Sequence, residues 1–248
     1  MTSEWKEWTI GDIASVKGGK RLPKGVNLIT ERNTHPYIRI RDLTEKTLEL
    51  KPSYEYVDDD TQKSISRYIV DTGDILISIV GTIGLIAVVG ETLNGANLTE
   101  NCIKLIDIRG DVDREYLYYF LVSSMGQDEI RKGTVGAVQP KLPIKNIQSI
   151  KLFLPNIGIQ KRISGLLSAI DSKIAQNTAI NENLASKTQN LFFSAVRSAP
   201  FVHKRWQLPI RRNDPRQSKS RQDDFLQQAY VCRGCAKALR LLERPFAA

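Results

Sequence analysis

The chain has 248 residues, enough for one sizeable domain with an appendage, and its apolar fraction of 41% can build a core. The formal charge of +9 is uneven, because residues 1–196 carry 24 Lys and Arg against 23 Asp and Glu, whereas residues 197–248 carry 12 against 4. Net charge therefore does not predict nucleic-acid binding by the folded part, and only a local concentration of basic residues can indicate it.

Motifs for catalysis and metal binding are missing from the sequence. It contains no P-loop, no GxGxxG after a strand, no HExxH and no GxSxG, and it has only two histidines. We therefore predict a binding protein without catalytic residues or cofactors. Cys232 and Cys235 have CxxC spacing, but a closed zinc site needs four ligands, and His35 and His203 lie far from them in sequence. A chance pair is the simpler interpretation, and we predict no metal site.

Basic residues are concentrated near the N-terminus, between positions 17 and 41, where Glu31 is the single acidic residue. Such a segment can lie along a phosphate backbone, with Lys as a point charge and Arg able to bind phosphates or guanine edges bidentately. A solvated charged loop is the alternative interpretation. The basic residues are Lys17, Lys20, Arg21, Lys24, Arg32, Arg39 and Arg41.

Two stretches of the chain predict strands. If residues 37–41 form one strand, Tyr37, Arg39 and Arg41 share a face exposed to solvent or to a ligand, while the isoleucines between them point inward. The most apolar run, Ile75 to Gly90, is rich in β-branched residues and is interrupted by Gly81-Thr82-Ile83-Gly84. We interpret it as two buried strands around a turn and not as a membrane span. Residues 1–12 carry no secretory signal pattern, so we expect a cytoplasmic protein.

A second basic stretch surrounds the sequence Gly133-Thr134-Val135-Gly136 and comprises Arg131, Lys132, Lys141 and Lys145. The glycines allow the backbone to approach a ligand closely, although a simple turn between strands explains them equally well. Pro155 then ends the strand-rich part of the chain. We place the boundary of this first domain at residue 156.

The sequence from Ile159 to Leu191 has helical periodicity, and we predict one long helix over residues 157–196, on the order of 50 Å in length at 1.5 Å per residue. A lone amphipathic helix needs a second helix to cover its apolar stripe. Asn177 at a core position favours a defined register in such a pair, and an Asn facing solvent is the alternative. The predicted dimerisation residues are Ile163, Leu166, Ile170, Asn177, Ile180, Leu184 and Leu191.

Residues 197–248 differ in composition from the rest, since they use nine Arg and three Lys and show no sustained apolar period before about Phe225. We interpret them as a basic tail that is poorly structured or of foreign coding origin. An arginine-rich nucleic-acid arm is the alternative.

The order of several short motifs resembles the specificity subunits of type I restriction–modification systems, and in particular one half of such a subunit. The motifs are Trp8-Thr9-Ile10-Gly11-Asp12-Ile13, Gly18-Gly19-Lys20, Tyr37-Ile38-Arg39-Ile40-Arg41-Asp42-Leu43, Gly73-Asp74-Ile75-Leu76-Ile77-Ser78, Gly81-Thr82-Ile83-Gly84, Gly133-Thr134, Pro140-Lys141-Leu142, Leu154-Pro155, Gln160 and Ile170-Asp171. Each motif is weak alone, and their order over residues 5–196 carries the resemblance.

The resemblance implies an α+β fold, with a strand-rich target recognition domain in residues 1–156 and a coiled-coil spacer helix in residues 157–196. It also implies a homodimer that reads a gapped palindrome in double-stranded DNA, docks the methyltransferase subunit and, through it, the restriction subunit, and binds no cofactor itself. The residues expected to face DNA are Lys17, Lys20, Arg21, Lys24, Arg39, Arg41, Thr82, Lys132, Gly133, Thr134 and Lys141.

Two other functions remain open at this point. The chain could be an interaction protein without DNA specificity, such as a decoy or truncated product that occupies the methyltransferase subunit. It could also be a free-standing transcriptional regulator. The first would show no salt-dependent, sequence-selective DNA affinity, and the second would bind specific DNA without an enzyme partner.

Overall fold

The computed structural model describes residues 5–198 and the side chains of residues 5–191. Strands and helices are mixed along the chain, as expected for an α+β fold. The strands are β1 (Lys6–Thr9), β2 (Ser15–Gly18), β3 (Pro36–Ile38), β4 (Thr47–Leu48), β5 (Glu55–Tyr56), β6 (Ile75–Ser78), β7 (Ile86–Val89), β8 (Asn97–Leu98), β9 (Cys102–Ile106) and β10 (Lys151–Leu154). The α-helices are α1 (Ile10–Ile13), α2 (Asp59–Ile65), α3 (Arg114–Val122), α4 (Ser124–Gly133), α5 (Ile144–Gln148) and α6 (Ile157–Ser198).

The largest sheet has five strands in the order β2-β9-β6-β7-β4, antiparallel except for the β7–β4 pair. All residues of β6 and β7 are buried, because alternate side chains enter two different cores. Ile75 and Ile77 pack in one core with side chains of helices α1, α3, α4 and α5, whereas Leu76 packs in a second core with Ile38 and Leu98. Burial on both faces explains the continuous apolar run, and the two predicted buried strands are confirmed.

A smaller sheet, in the order β5-β3-β8, covers the second core. The prediction of an exposed strand face through residues 37–41 is wrong here. Tyr37 is 3% exposed, β3 ends at Ile38, and residues 40–42 form a 3-10 turn. The turn forms because the Asp42 carboxylate accepts a hydrogen bond from the Arg39 backbone N–H at 2.8 Å, which ends the extended conformation.

Strands β1 and β10 pair antiparallel and bring the beginning and end of the strand-rich domain together, with Trp8 opposite Leu152. Two residues separate the end of β10 at Leu154 from the start of helix α6 at Ile157. Asn156 caps it, since its side-chain oxygen accepts a hydrogen bond from the Ile159 backbone N–H at 3.1 Å. By compactness the chain divides within this helix, after Ile180.

Two kinds of feature are absent from the described part of the chain. Within residues 5–198, no helix is long and apolar enough to cross a membrane. The same residues contain no group of three or more His, Cys, Asp and Glu side chains placed to hold a metal ion. The basic tail and the CxxC pair lie outside the described residues, so the predictions made for them stay predictions.

Candidate nucleic-acid interface

Three loops meet at one edge of the five-stranded sheet, where β2 and β6 end and β9 begins. They are Gly18–Lys24, Ile79–Leu85 and Thr134–Lys141. Backbone hydrogen bonds link them in sequence through residues 98–102: Lys20 N–H donates to Leu98 O at 2.8 Å, Ile79 N–H to Asn101 O at 2.8 Å and Leu142 N–H to Ile79 O at 2.9 Å. We call these three loops together the loop edge. Six of the predicted DNA-facing residues lie in it: Lys20, Arg21, Lys24, Thr82, Thr134 and Lys141. The other five, Lys17, Arg39, Arg41, Lys132 and Gly133, lie outside it.

The first loop is held in place by two hydrogen bonds besides the one from Lys20 N–H to Leu98 O. The Gly19 N–H donates to Cys102 O at 3.0 Å, and the Tyr37 hydroxyl donates to Lys20 O at 2.8 Å. A Cβ atom at Gly19 would lie 2.0 Å from Thr99 O, so no other residue fits without moving the backbone. These contacts fix the backbone while leaving the Lys20 and Lys24 side chains exposed.

The second loop is a turn organised by Ser78. Its hydroxyl donates to Thr82 O at 2.6 Å and accepts from Leu85 N–H at 2.9 Å, and both glycines of the Gly-Thr-Ile-Gly sequence have positive φ. Because Gly81 and Gly84 adopt this conformation, Thr82 is exposed at the tip. An ideal Cβ at Gly81 would lie 3.7 Å from Ile40 Cδ1, which places this turn beside the 3-10 turn of residues 40–42.

The third loop is a narrow hairpin-like segment. Val135 and Lys141 exchange two backbone hydrogen bonds of 2.9 Å, and Lys141 also forms a β-bridge with Val80 of the second loop. Val138, at its tip, is 99% exposed. Gly133 belongs to helix α4, so the loop begins at Thr134, whose hydroxyl donates to Ile130 O at 2.9 Å.

Three arginines of the first basic stretch, Arg21, Arg39 and Arg41, are paired with carboxylates, whereas Arg32 is exposed. Arg21 Nε lies 2.8 Å from Glu100 Oε1, Arg41 Nη2 lies 3.2 Å from Glu55 Oε1, and Arg39 pairs with both Asp42 and Glu55. Burial opposes the charge on Glu100, but the hydrogen bond from Arg21 lowers its pKa on balance. Arg39 is mostly enclosed, with a side chain 18% exposed, so it organises the fold around residues 38–55.

The lysines are placed differently. Lys17, Lys20, Lys24 and Lys141 are all exposed, and none forms an ion pair with a carboxylate among the residues whose side chains are described. The Lys20 ammonium lies 5.7 Å from the centroid of the Tyr68 ring. Lys132 differs from them, because its ammonium is 2.6 Å from Glu129 of the same helix. The unpaired charges at and beside the loop edge are therefore mainly those of lysines.

The predicted dimerisation residues lie along helix α6. Ile163 is partly buried and packs on the core of the strand-rich domain. The other apolar positions are exposed in the single chain, from 47% at Ile170 to 72% at Leu191, and Asn177 is exposed with them. An exposed apolar stripe of this kind is typical of a helix that packs against a second helix.

The sequence analysis missed several residues that hold these parts together. Tyr37, Glu55 and Glu100 position the loops described above through partners 16 to 79 positions away, whereas Ser78 bonds Thr82 and Leu85 within its own turn. Lys46, Glu115, Tyr119 and Asp171 form a polar cluster between the domain and helix α6. No sequence signal identifies these pairs, because Lys46 and Tyr119 are separated by more than 70 positions.

Several known proteins are similar to this chain in sequence or in fold. A curated protein, the type I restriction enzyme HindI specificity subunit of Haemophilus influenzae, is 26% identical over 205 residues, which cover 77% of this chain and 40% of that protein. The type I restriction–modification S subunit from M. genitalium has a similar structure, with a TM-score of 0.53 at 19% identity, over 78% of this chain and 47% of its own. The HsdS subunit from Thermoanaerobacter tengcongensis gives a TM-score of 0.52 at 20% identity, over 69% and 38% of the two chains.

Both solved structures confirm the fold of mixed sheets followed by a long helix. This chain spans less than half the length of each of the three relatives. Residues 2–186 match the family model described as the type I restriction modification DNA specificity domain, which covers most of the chain. The protein therefore belongs to the type I restriction–modification specificity family.

Proposed function

We propose that this specificity subunit reads one half of a split DNA site with its loop edge and works as a homodimer. The observation that carries the proposal is the meeting of both basic stretches at one edge, where backbone hydrogen bonds join loops from three distant parts of the sequence. A row of exposed lysines on fixed loops suits a phosphate backbone, because each ammonium replaces a condensed counterion.

The basic residues then have separate roles. Lys17, Lys20, Lys24 and Lys141 contact phosphates, since these side chains are exposed and without carboxylate partners among the described side chains. Thr82 and Thr134 approach the same DNA from the second and third loops, and Lys132 and Gly133 approach it from the end of helix α4. Arg39 and Arg41 hold the turn beside Thr82 through Glu55, and Arg21 reaches a base edge only by leaving Glu100.

Helix α6 supplies the pairing. Two copies joined through the exposed stripe from Leu166 to Leu191 present two identical loop edges, and a two-fold symmetric dimer requires two inverted copies of one half-site. The target is thus a gapped palindrome. The dimer docks type I methyltransferase subunits and, through them, the restriction subunit, while this chain supplies recognition and no catalytic group.

The direct test is methylation. The chain is purified together with a type I methyltransferase subunit and incubated with S-adenosylmethionine and a randomised duplex library, and methylated molecules are sequenced. We expect one gapped motif to be enriched. A stable complex that methylates no sequence selectively would contradict the proposal and would favour the decoy interpretation.

Salt dependence tests the loop edge itself. Replacing Lys20, Lys24 and Lys141 with Ala should reduce the slope of log K against log salt concentration by up to about 2.7, because each phosphate contact contributes about 0.9. A matched triple replacement of exposed lysines elsewhere, Lys6, Lys63 and Lys161, should change the slope little. Equal slopes for the two variants would contradict the assignment of DNA to this edge.

A further inference from the structure

A polar cluster joins the strand-rich domain to helix α6 above its first turns. Lys46 Nζ donates to Glu115 Oε2 at 2.5 Å and to the Tyr119 hydroxyl at 2.9 Å. The Tyr119 hydroxyl in turn donates to Asp171 Oδ2 at 2.6 Å, and Lys46 Nζ lies 4.0 Å from the same oxygen. The cluster therefore connects the segment before β4, helix α3 and helix α6.

Lys46 is well confined within this cluster. Its side chain is 24% exposed, and its ammonium lies 4.4 Å from the centroid of the Tyr119 ring and 5.2 Å from that of Tyr118. Burial works against its charge, but the hydrogen bonds to Glu115 and Tyr119 raise the pKa of Lys46 on balance. Burial, and then the bond to Asp171, raises the pKa of Tyr119, so the phenol stays protonated and donates.

The base of the same helix is fixed separately by Gln160, which is 1% exposed. Its side-chain oxygen accepts from Asp113 N–H at 2.8 Å, and its amide donates to Pro155 O at 2.8 Å and to Asp111 O at 3.1 Å. Gln160 and Asp171 are about three turns, or about 16 Å, apart on one face of the helix. Ser164 is also buried near Gln160 and Ile163 is partly buried there, so the contact of Asp171 is the attachment point farthest along the helix and limits how far the helix swings about its base.

Close packing does not fix the helix at the level of Asp171. An open groove of about 640 Å³ lies there, lined by Lys46, Thr47, Tyr118, Ser168, Ser172 and Ile174 among others. Asp171 itself is 48% exposed, and exposed polar contacts contribute little to the free energy of unfolding. The cluster therefore has a larger effect on the direction of the helix than on stability.

We propose that Lys46, Tyr119 and Asp171 are positioning residues that set the angle of helix α6 and thereby the number of base pairs between the two half-sites. This inference rests on the proposed function. From Gln160 to Ile180 the helix rises about 30 Å. A swing of about 10° at its base would move Ile180 by about 5 Å, more than the rise of about 3.4 Å per base pair.

Tyr119→Phe tests the proposal, because it removes both hydroxyl contacts and keeps the ring. Duplexes that carry the wild-type half-sites with the preferred gap, or with one base pair more or fewer, are methylated by the complex with the methyltransferase subunit. Discrimination between gaps should fall about five- to tenfold in the variant, the factor expected for one or two hydrogen bonds of ordinary net strength. The half-site sequence should not change.

Tyr116→Phe is the matched control. It removes a hydroxyl from the same helix, but that hydroxyl donates to Phe153 O at 3.1 Å and not to helix α6. The control should keep the wild-type gap preference. Unchanged discrimination in Tyr119→Phe, or equal loss in both variants, would overturn the inference.

A second measurement separates this inference from the proposed function. Spin labels at Lys63→Cys and Gln176→Cys, in a chain with Cys232→Ser and Cys235→Ser, report the distance between the domain and the helix by pulsed electron paramagnetic resonance. The distribution should be narrow in the otherwise wild-type chain and broader with Tyr119→Phe. Equal widths would overturn the fixed angle, whatever the methylation result, whereas a wild-type complex that methylates no sequence would refute only the proposed function.

Discussion

Helix α6 has two parts that differ in how far their side chains are buried. From Ile157 to about Asp171, one face packs on the strand-rich domain, with Gln160 and Ser164 buried and Ile163 against the core. From Ser172 to Leu191, every side chain is exposed, including the apolar ones at Ile174, Ile180 and Leu184. A single helix is thus part of a domain along its first turns and carries an exposed apolar stripe along the rest.

The difference shows why the heptad pattern is mixed. The residues that face the domain, including Gln160, Ser164 and Asp171, follow one stripe of the helix, while Leu166, Ile170 and Ile180 follow a neighbouring stripe. Ile163, Leu167 and Ile174 lie between the two stripes at about 3.6 residues per turn, so the apolar band is wider than that of a strict coiled coil. The same helix can then hold its own domain and a second copy at once.

Ile170→Asp with Leu184→Asp should have the largest effect, because two charges would enter the apolar stripe without partners. We expect the dimer to become a monomer in sedimentation equilibrium. The control, Thr178→Asp with Ala185→Asp, places the same charges on another face and should keep the dimer mass. An unchanged mass in the first variant would mean that the exposed stripe is not the interface.

Gln160→Ala should act on the first part of the helix alone. It leaves the Asp113 N–H and two carbonyls without their partner, which is expected to lower the free energy of unfolding by about 1–3 kcal/mol. Urea denaturation measures this as a lower midpoint. Gln176→Ala, at an exposed position, should stay within about 0.5 kcal/mol of wild type. Similar losses in both variants would show that the two parts of the helix are not distinct.

Deletion of residues 199–248 should have the smallest effect. The apolar stripe from Leu166 to Leu191 lies entirely before the deleted segment. We therefore expect the shortened chain to remain a dimer, with a mass lower only by the two deleted segments. The same sedimentation experiment checks it. Loss of the dimer would assign the pairing to the basic tail instead.

Much of the fold follows from local sequence patterns. The β-branched run interrupted by glycines correctly predicts the buried pair β6 and β7, and the change from period two to helical periodicity after Pro155 correctly predicts helix α6. Both features depend on short-range periodicity, which sequence carries directly. The alternation of polar and apolar residues over 37–41 predicts a longer strand than β3. It does not reveal that the carboxylate of Asp42 closes a turn at Arg39, which ends the strand.

The site was less predictable, because its contacts are long-range. The basic residues form a cluster in the sequence, but their ion pairs cannot be read from it. Arg21 pairs with Glu100, and Arg39 with Glu55, only because the fold brings separate segments together. The polar cluster has the same origin, since Lys46, Tyr119 and Asp171 come from three elements that only the tertiary fold brings together. Sequence therefore predicts which segments carry charge, and the structure decides which charges remain available.

The most direct test of a paired recognition subunit is the symmetry of its target. Single-molecule sequencing of modified bases, in cells that carry this chain and its methyltransferase subunit as the sole specificity source, gives the two half-sites and the gap together. Pairing of two copies through helix α6 predicts one gapped motif whose halves are inverted copies, and it predicts that Ile170→Asp with Leu184→Asp abolishes this modification. A motif with two different halves, or an unchanged motif in the double variant, would contradict it.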